Sequence, residues 1–230
     1  MVSAPVLAID GPGGSGKGTI CRHVQQALGW YLLDSGAIYR ALAVAADRRR
    51  LGADDVEALV ALAHALDVRF QPVDGGEHMV LVDGVDMTLR LRSEKTGNLA
   101  SQLAVIPEVR AALLDRQRDF RKPPGLVADG RDMGTVVFPD ATVKIYLTAS
   151  AEERARRRHK QLKEQGVSGN LSTLLQEITE RDERDASRSV APLMPASDAE
   201  VIDTTGLAIE AVVQRVMTLV RQRIGRTGSE

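Results

Sequence analysis

Cysteines, aromatic residues and long apolar runs are all scarce in this chain. A single cysteine, Cys21, among 230 residues excludes an intrachain disulfide and fits a reducing, cytoplasmic location. Only 3% of the residues are aromatic, which argues against binding of nucleic acid by base stacking. No apolar run is long enough to cross a bilayer, and no secretory signal is recognisable, so no membrane association is expected.

The charges are nearly balanced, with 30 basic and 31 acidic residues and a net charge of −1. Because binding to phosphate polymers needs surplus positive charge, this balance disfavours a general nucleic-acid or membrane-surface protein. The length is sufficient for one domain with an insertion or for two small domains.

A glycine-rich loop near the start of the chain is the most informative motif. Its residues are Gly11, Pro12, Gly13, Gly14, Ser15, Gly16, Lys17, Gly18 and Thr19. An apolar run at 6–9 precedes the loop and a helix-like stretch at 20–28 follows it, which is the context of a phosphate-binding loop. Inward-pointing N–H groups and the helix N-terminus would bind phosphates, Lys17 would neutralise the outer ones, and Thr19 could bind Mg²⁺. Gly18 stands where a hydroxyl residue is usual, and this variant resembles the loop of nucleoside monophosphate kinases.

The rest of the chain predicts an α/β fold of the P-loop NTPase type. Short apolar runs alternate with helical stretches, and the runs are 6–9, 31–33, 126–128, 143–147 and 201–202. This alternation predicts an open parallel five-stranded sheet flanked by helices. Ligands of such sheets bind beyond the carboxyl ends of the strands, which draws attention to the polar residues there: Asp10, Asp34, Ser35, Asp129 and Thr148.

Residues 68–91 interrupt this pattern. Asp74-Gly75-Gly76 and Asp83-Gly84 are typical of hairpin turns, with strands predicted at 78–82 and 85–91. We therefore expect a small antiparallel insertion at 67–91, and a kinase-like core formed by 1–66 and 92–230. Helices are predicted to resume at 94–105 and 108–120.

Two charged helices follow the fourth predicted strand. The first, at 150–165, places Arg154, Arg157 and Arg158 on one face, and Gly166 begins a flexible joint. It is either a solvated surface helix or a mobile lid, spanning about 152–170, that brings arginines to a phosphate. In the second helix an apolar stripe that begins at Leu171 continues into charged positions, namely Arg181, Asp182, Asp185 and Arg188. These charges either pair internally or line a substrate cleft together with Arg184.

The segment Asp129-Gly130-Arg131-Asp132 follows the predicted strand at 126–128. A carboxylate at a strand end beside a phosphate loop can hold Mg²⁺, although Asp-Gly is also a common turn. Arg131 and Asp132 add a phosphate-binding cation and a hydrogen-bond acceptor.

Four stretches together resemble the bacterial cytidylate kinases. They are residues 9–19, 33–40, 128–141, and 181–185 with 190–193, and they occur in the order of that family from residue 6 to about 204. The stretches at 34–40 and 129–141 are the most specific, whereas many kinases share the glycine loop. The insertion at 67–91 likewise resembles part of the enlarged CMP-binding domain of that family.

The resemblance implies ATP binding by Gly11 to Thr19 and Mg²⁺ binding by Thr19 and Asp129. For CMP it implies that the α-phosphate is held by Arg40 and Arg131, the cytosine by Ser35, Arg110, Asp132 and Arg188, and the ribose by Ser101, Arg181 and Asp185. The residues expected to stabilise the transferring phosphoryl group are Lys17, Arg131, Arg184, Arg157 and Arg158.

The expected function is ATP-dependent phosphoryl transfer to CMP, and to dCMP, giving CDP or dCDP and ADP. Asp132 could accept a hydrogen bond from the cytosine amino group and would repel the oxygen of uracil. The alternatives are a kinase for another acceptor such as UMP or AMP, and a non-enzymatic nucleotide-dependent switch. The expected ligands are small nucleotides and Mg²⁺, and the expected state is a monomer that binds neither nucleic acid nor membrane.

Overall fold

The structure, a computed structural model, describes residues 3–72, 78–91, 93–164 and 166–227. The chain divides into two compact units, one made of Met1–Leu33 with Phe120–Glu230 and the other of Asp34–Asp119. They are called the phosphate-loop unit and the 34–119 unit below. The turn predicted at 74–76 lies outside the described residues.

Strands and helices alternate along most of the described chain. The strands are β1 Val6–Asp10, β2 Tyr31–Asp34, β3 Val68–Pro72, β4 His78–Val82, β5 Val85–Asp86, β6 Leu126–Gly130, β7 Val143–Thr148 and β8 Glu200–Asp203. The helices are α1 Lys17–Leu28, α2 Ser35–Arg49, α3 Val56–Ala65, α4 Thr88–Leu91, α5 Glu94–Leu103, α6 Pro107–Arg118, α7 Ala151–Glu164, α8 Leu171–Ala186 and α9 Ile209–Thr227. A π-helical turn covers Met133–Val137.

The main sheet has the strand order β2-β6-β1-β7-β8. Its central strand β1 is parallel to both neighbours, with Ile9 opposite Asp129 on β6 and Asp10 opposite Tyr146 on β7. This register brings the ends of β1 and β6 together, so that the glycine loop after β1 and the acidic segment after β6 begin side by side. The predicted open parallel five-stranded sheet with flanking helices is confirmed.

An apolar cluster packs helices α1 and α9 of the phosphate-loop unit on this sheet. Leu7 and Ile9 of β1 are fully buried, and α1 and α9 contribute apolar residues at helical spacing, among them Val24 and Val216. Burial of such side chains is the main favourable term in folding. The central strand is thereby fixed in the core, and buried strands position the loops that follow them.

The 34–119 unit is built around α2, which is buried along most of its length and contacts α3, α4 and α5. A three-stranded antiparallel sheet, β3-β4-β5, belongs to the same unit, with Val68 opposite Val82 and Leu81 opposite Asp86. The predicted small antiparallel sheet is therefore confirmed.

One predicted strand was too long. The stretch 85–91 was expected to continue as a strand, but β5 ends at Asp86 and α4 follows it. Asp86 Oδ1 accepts hydrogen bonds from Thr88 N at 2.9 Å and from Thr88 Oγ1 at 2.6 Å. This side-chain turn competes with strand pairing and starts the helix.

The predicted charged helix at 150–165 is observed as α7. Ser150 Oγ accepts a hydrogen bond from Glu153 N at 3.2 Å at the start of α7, and Asn170 caps α8 by accepting hydrogen bonds from Ser172 N and Thr173 N.

None of the helices in the described ranges combines the length and the hydropathy needed to span a bilayer.

Candidate functional site

The glycine loop closes tightly between β1 and α1. Gly11 has a φ of 144°, and a β-carbon there would lie 1.9 Å from the carbonyl oxygen of Leu147, so only glycine fits. Gly16 is the N-cap residue of α1, with a φ of 94° in the left-handed region. The loop therefore delivers its backbone to the N-terminus of α1, where N–H groups and the helix dipole favour anions.

Lys17 crosses the loop and holds it from inside. Its Nζ donates to Gly11 O at 2.7 Å and to Pro12 O at 2.9 Å, and the side chain is buried. Burial, with a further contribution from the positive charge of Arg131, lowers the pKa of Lys17 to about 8. A buried cation is thus placed where the glycine loop would receive phosphate oxygens.

Asp10, the last residue of β1, fixes the segment that follows β6. Its Oδ1 accepts from Met133 N and its Oδ2 from Gly134 N, both at 2.8 Å. Burial raises the pKa of Asp10 to about 7, although the two backbone hydrogen bonds oppose the change. These bonds hold the first turn of the π-helical segment directly after Asp132, and therefore orient Arg131 and Asp132.

Arg131, Asp185 and Arg188 form a buried ion network. Arg131 Nε donates to Asp185 Oδ2 at 3.0 Å, and Arg188 binds Oδ1 of the same carboxylate. Burial by itself would raise the pKa of Asp185, but Arg131 and Arg188 hold it below its usual value. In turn, Asp185 and Asp129 outweigh the burial of Arg131 and raise its pKa. The charged end of the α8 stripe is therefore internally paired. Internal pairing was one of the two arrangements predicted from the sequence.

The same network lies against the phosphate loop. A β-carbon on Gly13 would lie 3.4 Å from Arg131 NH2 and 3.7 Å from Arg181 NH1. The guanidinium groups of Arg131, directly after β6, and of Arg181, on α8, therefore lie beside the loop backbone. Internal pairing and a position beside the loop are both observed, so the two interpretations of the charged stripe are compatible.

Of the three arginines predicted on one face of α7, Arg154 is a buried anchor. It donates to Gly13 O at 3.1 Å and to Ala149 O at 3.0 Å, and both terminal nitrogens bind the carboxylate of Asp182. Arg154 therefore ties the start of α7 to the glycine loop and to α8.

Arg157 and Arg158 differ from that anchor and from each other. Arg157 donates to Thr204 O at 2.6 Å and to Ser15 O at 3.3 Å, and its Nε pairs with Glu153 at 3.0 Å. Arg158 donates to the exposed Gln161 of its own helix at 2.7 Å. On α8, the buried NH1 of Arg184 has no hydrogen-bond partner among the described residues.

Thr19 and Asp129 offer oxygen ligands near the start of α1. Asp129 Oδ2 lies 3.4 Å from the position of a β-carbon on Gly18, and Thr19 Oγ1 accepts from Arg22 at 3.4 Å. A carboxylate and a hydroxyl are ligands that suit Mg²⁺, which keeps several waters and binds substrate phosphates. In the described ranges no group of three or more His, Cys, Asp or Glu residues could hold a metal. The carboxylate of Asp129 and the hydroxyl of Thr19 are chemically suited to Mg²⁺.

The 34–119 unit holds a second set of predicted site residues. Ser35 Oγ donates to Gln117 Oε1 at 2.7 Å, and both residues are buried. Arg110 is buried, donates to Ala104 O at 3.1 Å and lies 5.9 Å from the ring centre of Tyr39. These contacts hold Ser35 and Arg110 in set orientations through α6.

Arg40 and Ser101 lie on two helices of this unit that contact each other, α2 and α5. Arg40 NH1 donates to Leu91 O at 2.6 Å and to Ser93 O at 3.2 Å, and Ser101 is buried. The predicted nucleotide-binding residues are thus divided between the units, with Ser35, Arg40, Ser101 and Arg110 in the 34–119 unit and the others in the phosphate-loop unit.

Sequence reasoning overlooked two residues that orient the predicted ones. Gln117 holds Ser35, and Thr204 holds Arg157. Gln117 could have been found, because it continues the buried face of α6 from Arg110. For Thr204 no comparable signal exists, because its partners are remote in sequence.

A lysine-containing phosphate loop after the central strand of a parallel sheet, with guanidinium groups beside it, defines the class of P-loop phosphotransferases. The chain belongs to the cytidylate kinase family, whose sequence model, described as cytidylate kinase, matches residues 7–222. A cytidylate kinase from Salmonella arizonae is 56% identical over 221 residues, which cover 96% of this chain and 97% of the relative. One from Klebsiella pneumoniae is 56% identical over 220 residues, which cover 96% of each chain.

A solved structure shares the fold at much lower identity. An uncharacterised protein from Eubacterium ventriosum is 10% identical, with a TM-score of 0.51 over 95% of this chain and 99% of that chain. At this identity the likeness concerns the fold alone. The family match and the near-complete coverage of the relatives identify this chain as a nucleoside monophosphate kinase.

Proposed function

We propose that this protein transfers the γ-phosphoryl group of ATP to CMP and dCMP, giving CDP or dCDP and ADP. The observation that carries the proposal is the position of Arg131 and Arg181 against Gly13 of the phosphate loop. These two guanidinium groups place positive charge where the phosphate of an acceptor would approach the phosphates of ATP. Membership of the cytidylate kinase family supports the same reaction.

The two units would contribute to the binding of different substrates. The phosphate-loop unit would bind ATP through Gly11–Thr19, and the 34–119 unit, including the antiparallel segment 67–91, would contribute to CMP binding. In this division Arg40 and Arg131 hold the α-phosphate. The remaining CMP contacts are proposed for Ser35, Ser101, Arg110, Asp132, Arg181, Asp185 and Arg188.

Base selection would depend on the buried carboxylate of Asp132. Cytosine presents an amino donor at N4, whereas uracil presents an oxygen acceptor at the equivalent place. A site built around that hydrogen bond discriminates strongly, because the wrong base leaves buried polar groups unpaired. The hydrogen bonds from Met133 and Gly134 to Asp10 support this role, since they restrict the backbone immediately after Asp132.

The chemistry requires no protein nucleophile. An oxygen of the CMP phosphate forms the new bond to the γ-phosphorus of ATP, the bond from that phosphorus to the β,γ-bridging oxygen breaks, and ADP leaves with the electron pair. The protein contributes alignment and positive charge. We assign the charge to Lys17 and Arg131 at the loop and to Arg157, Arg158 and Arg184 on α7 and α8.

Thr19 and Asp129 would hold Mg²⁺ beside the phosphates of ATP. When bound, the ion would neutralise negative charge on the phosphates and so assist the departure of ADP. The segment at about 152–170 would act as a lid that excludes water and favours transfer over hydrolysis. Two arginines of this segment support the assignment, because Arg154 donates to Gly13 O and Arg157 donates to Ser15 O, both in the glycine loop.

We infer that the protein acts as a monomer in the cytoplasm. The single cysteine, Cys21, is buried, which is consistent with a reducing compartment.

A coupled assay of ADP release with five acceptors tests the function directly. With saturating ATP and Mg²⁺, CMP and dCMP should give the highest kcat/KM, and UMP, AMP and GMP should be at least about 10²-fold poorer, because a base-specific hydrogen bond is lost. A reaction without acceptor measures ATP hydrolysis and serves as the control. Faster turnover of AMP or GMP than of CMP would overturn the assignment.

The lowered pKa of Lys17 predicts an alkaline loss of activity. The lysine stabilises phosphate only when it is protonated, and kcat/KM reports the free enzyme, in which the pKa is about 8. We expect kcat/KM for ATP to be constant below about pH 7 and to fall roughly tenfold per unit above pH 8. In a Lys17→Arg variant the residual activity should lack this decline, because arginine stays charged. A wild-type decline that begins only near pH 10 would refute the prediction.

A further inference from the structure

Gly97 lies inside α5 without a backbone reason for being glycine. Its N–H donates to Ser93 O at 3.0 Å as in any helix, and it is not among the glycines with positive φ. Glycine in a helix is less favourable than alanine, because it loses more conformational freedom on folding. Some other feature of the molecule must therefore favour glycine, which has no side chain, at position 97.

That feature is the guanidinium group of Arg40. A β-carbon on residue 97 would lie 2.9 Å from Arg40 NH2, 3.1 Å from NH1 and 3.2 Å from Cζ. The first distance is closer than real β-carbons come to any neighbour. The guanidinium of Arg40 thus occupies the space that a side chain at position 97 would need.

The same guanidinium is bound at the junction between α4 and α5. Arg40 NH1 donates to Leu91 O, the last residue of α4, at 2.6 Å, and to Ser93 O, the N-cap residue of α5, at 3.2 Å. Ser93 is itself held by Thr96, whose N–H donates to Ser93 Oγ at 3.2 Å. The group therefore lies between two carbonyl oxygens and the bare face of α5.

We propose that Gly97 is a positioning residue for Arg40, and that its missing side chain sets where the guanidinium presents its charge to the phosphate of the acceptor nucleotide. The proposal rests on the proposed function, in which Arg40 binds the α-phosphate of CMP. It explains a glycine that helix propensity disfavours. It also makes position 97 a determinant of CMP affinity without any contact between Gly97 and the substrate.

A methyl group at position 97 should move Arg40 and leave the helix in place. The clashing atoms belong to the far end of a flexible side chain, which can shift at little cost to the fold, and alanine favours the helix. Displacement of a positioning group by about 1 Å can cost 10²-fold in rate, because the reacting groups lose their alignment. Stability and substrate affinity should therefore change in opposite directions.

The experiment measures KM and kcat for Gly97→Ala together with its melting temperature. We expect KM for CMP to rise about 10- to 100-fold, while the melting temperature is unchanged or higher and KM for ATP at saturating CMP changes little. Gln102→Ala, at an exposed position on the same helix, is the matched control and should retain wild-type KM for CMP. An unchanged KM for CMP in Gly97→Ala would overturn the proposal.

A double-mutant cycle with Arg40→Ala identifies the coupled group. With the guanidinium removed, adding Gly97→Ala should produce no further rise in KM for CMP. An equal further rise in the Arg40→Ala background would show that Gly97 acts through something else. If Gly97→Ala alone prevents folding, recovery of the fold in the double variant would still support the steric conflict, and failure to recover would refute it.

The same cycle separates this inference from the proposed function. If wild-type protein does not phosphorylate CMP, or if Arg40→Ala leaves KM for CMP unchanged, the assigned role of Arg40 is wrong. If Arg40→Ala raises KM for CMP and Gly97→Ala does not, the role of Arg40 stands and only the positioning role of Gly97 fails.

Discussion

Replacing Lys17 by methionine should lower kcat by at least about 10³-fold, which is roughly 4 kcal/mol of transition-state stabilisation. Methionine keeps the length and the apolar stem of the lysine but removes the charge that would neutralise the transferring phosphoryl group. The loss should appear in kcat as well as in kcat/KM, because phosphoryl transfer depends on charge stabilisation that is strongest in the transition state. Steady-state assays with saturating CMP and ATP measure both parameters.

Lys144→Met is the matched control for this substitution. Lys144 is another largely buried lysine of the phosphate-loop unit, with a side chain 10% exposed, and it pairs with Asp198 at 3.0 Å. Its replacement should leave kcat close to wild type. Far-ultraviolet circular dichroism should show both variants folded. A Lys17→Met protein that keeps more than about a tenth of wild-type kcat would show that Lys17 does not stabilise the transferring charge.

Replacing Asp185 by asparagine should produce the largest loss of stability. The Asp185 side chain is 1% exposed and is shared by Arg131 and Arg188, so the substitution leaves two guanidinium groups short of negative charge. Breaking a buried pair from one side typically costs about 3–5 kcal/mol. For a chain of this size the corresponding fall in melting temperature is roughly 6–20 °C. Differential scanning calorimetry at neutral pH measures it, and kcat/KM for CMP should fall as well.

Asp182→Asn provides the comparison within the same helix. Asp182 pairs with Arg154, but its side chain is 27% exposed, so water can compensate part of the lost charge. Its free energy of unfolding should therefore fall by less than that of Asp185→Asn. Equal losses in the two variants would contradict the importance of burial at position 185.

The pH dependence of this difference has a definite sign. The pKa of Asp185 is lower in the folded protein than its usual value of 3.8. The stabilisation is therefore fully present above pH 3.8 and disappears as the pH falls through the lower folded-state pKa. The stability gap between wild type and Asp185→Asn should be constant around neutrality and should close only in acid.

Most of the fold follows from local patterns in the sequence. Each predicted strand of the main sheet is present within one or two residues, because a short apolar run between helical stretches has few alternatives to a buried parallel strand. The glycine loop was equally clear, since Gly11 and Gly16 adopt backbone conformations that other residues rarely accept. The second half of the stretch 85–91 was mispredicted, because the side-chain turn at Asp86 outweighs its strand propensity.

The candidate site was predictable as a set of residues but not as a set of contacts. Arg154, Arg157 and Arg158 share one face of a helix in the sequence, yet they have three different environments in the structure. Helical spacing predicts which way a side chain points from its own helix, but it carries no information on which residues of other elements that side chain contacts.

Composition, periodicity and the glycine motif were sufficient to identify a P-loop kinase core and the residue types around it. The pairings that give those residues their orientation arise only on folding. Asp10 binds the backbone of Met133 and Gly134, Arg131 meets Asp185, and Arg40 lies on Gly97, in each case across more than fifty positions of the chain. Such pairings depend on strand register and helix packing, which place groups within hydrogen-bond distance irrespective of their separation in sequence. Local propensity describes each residue by itself, and for that reason it cannot predict which residues pair with each other.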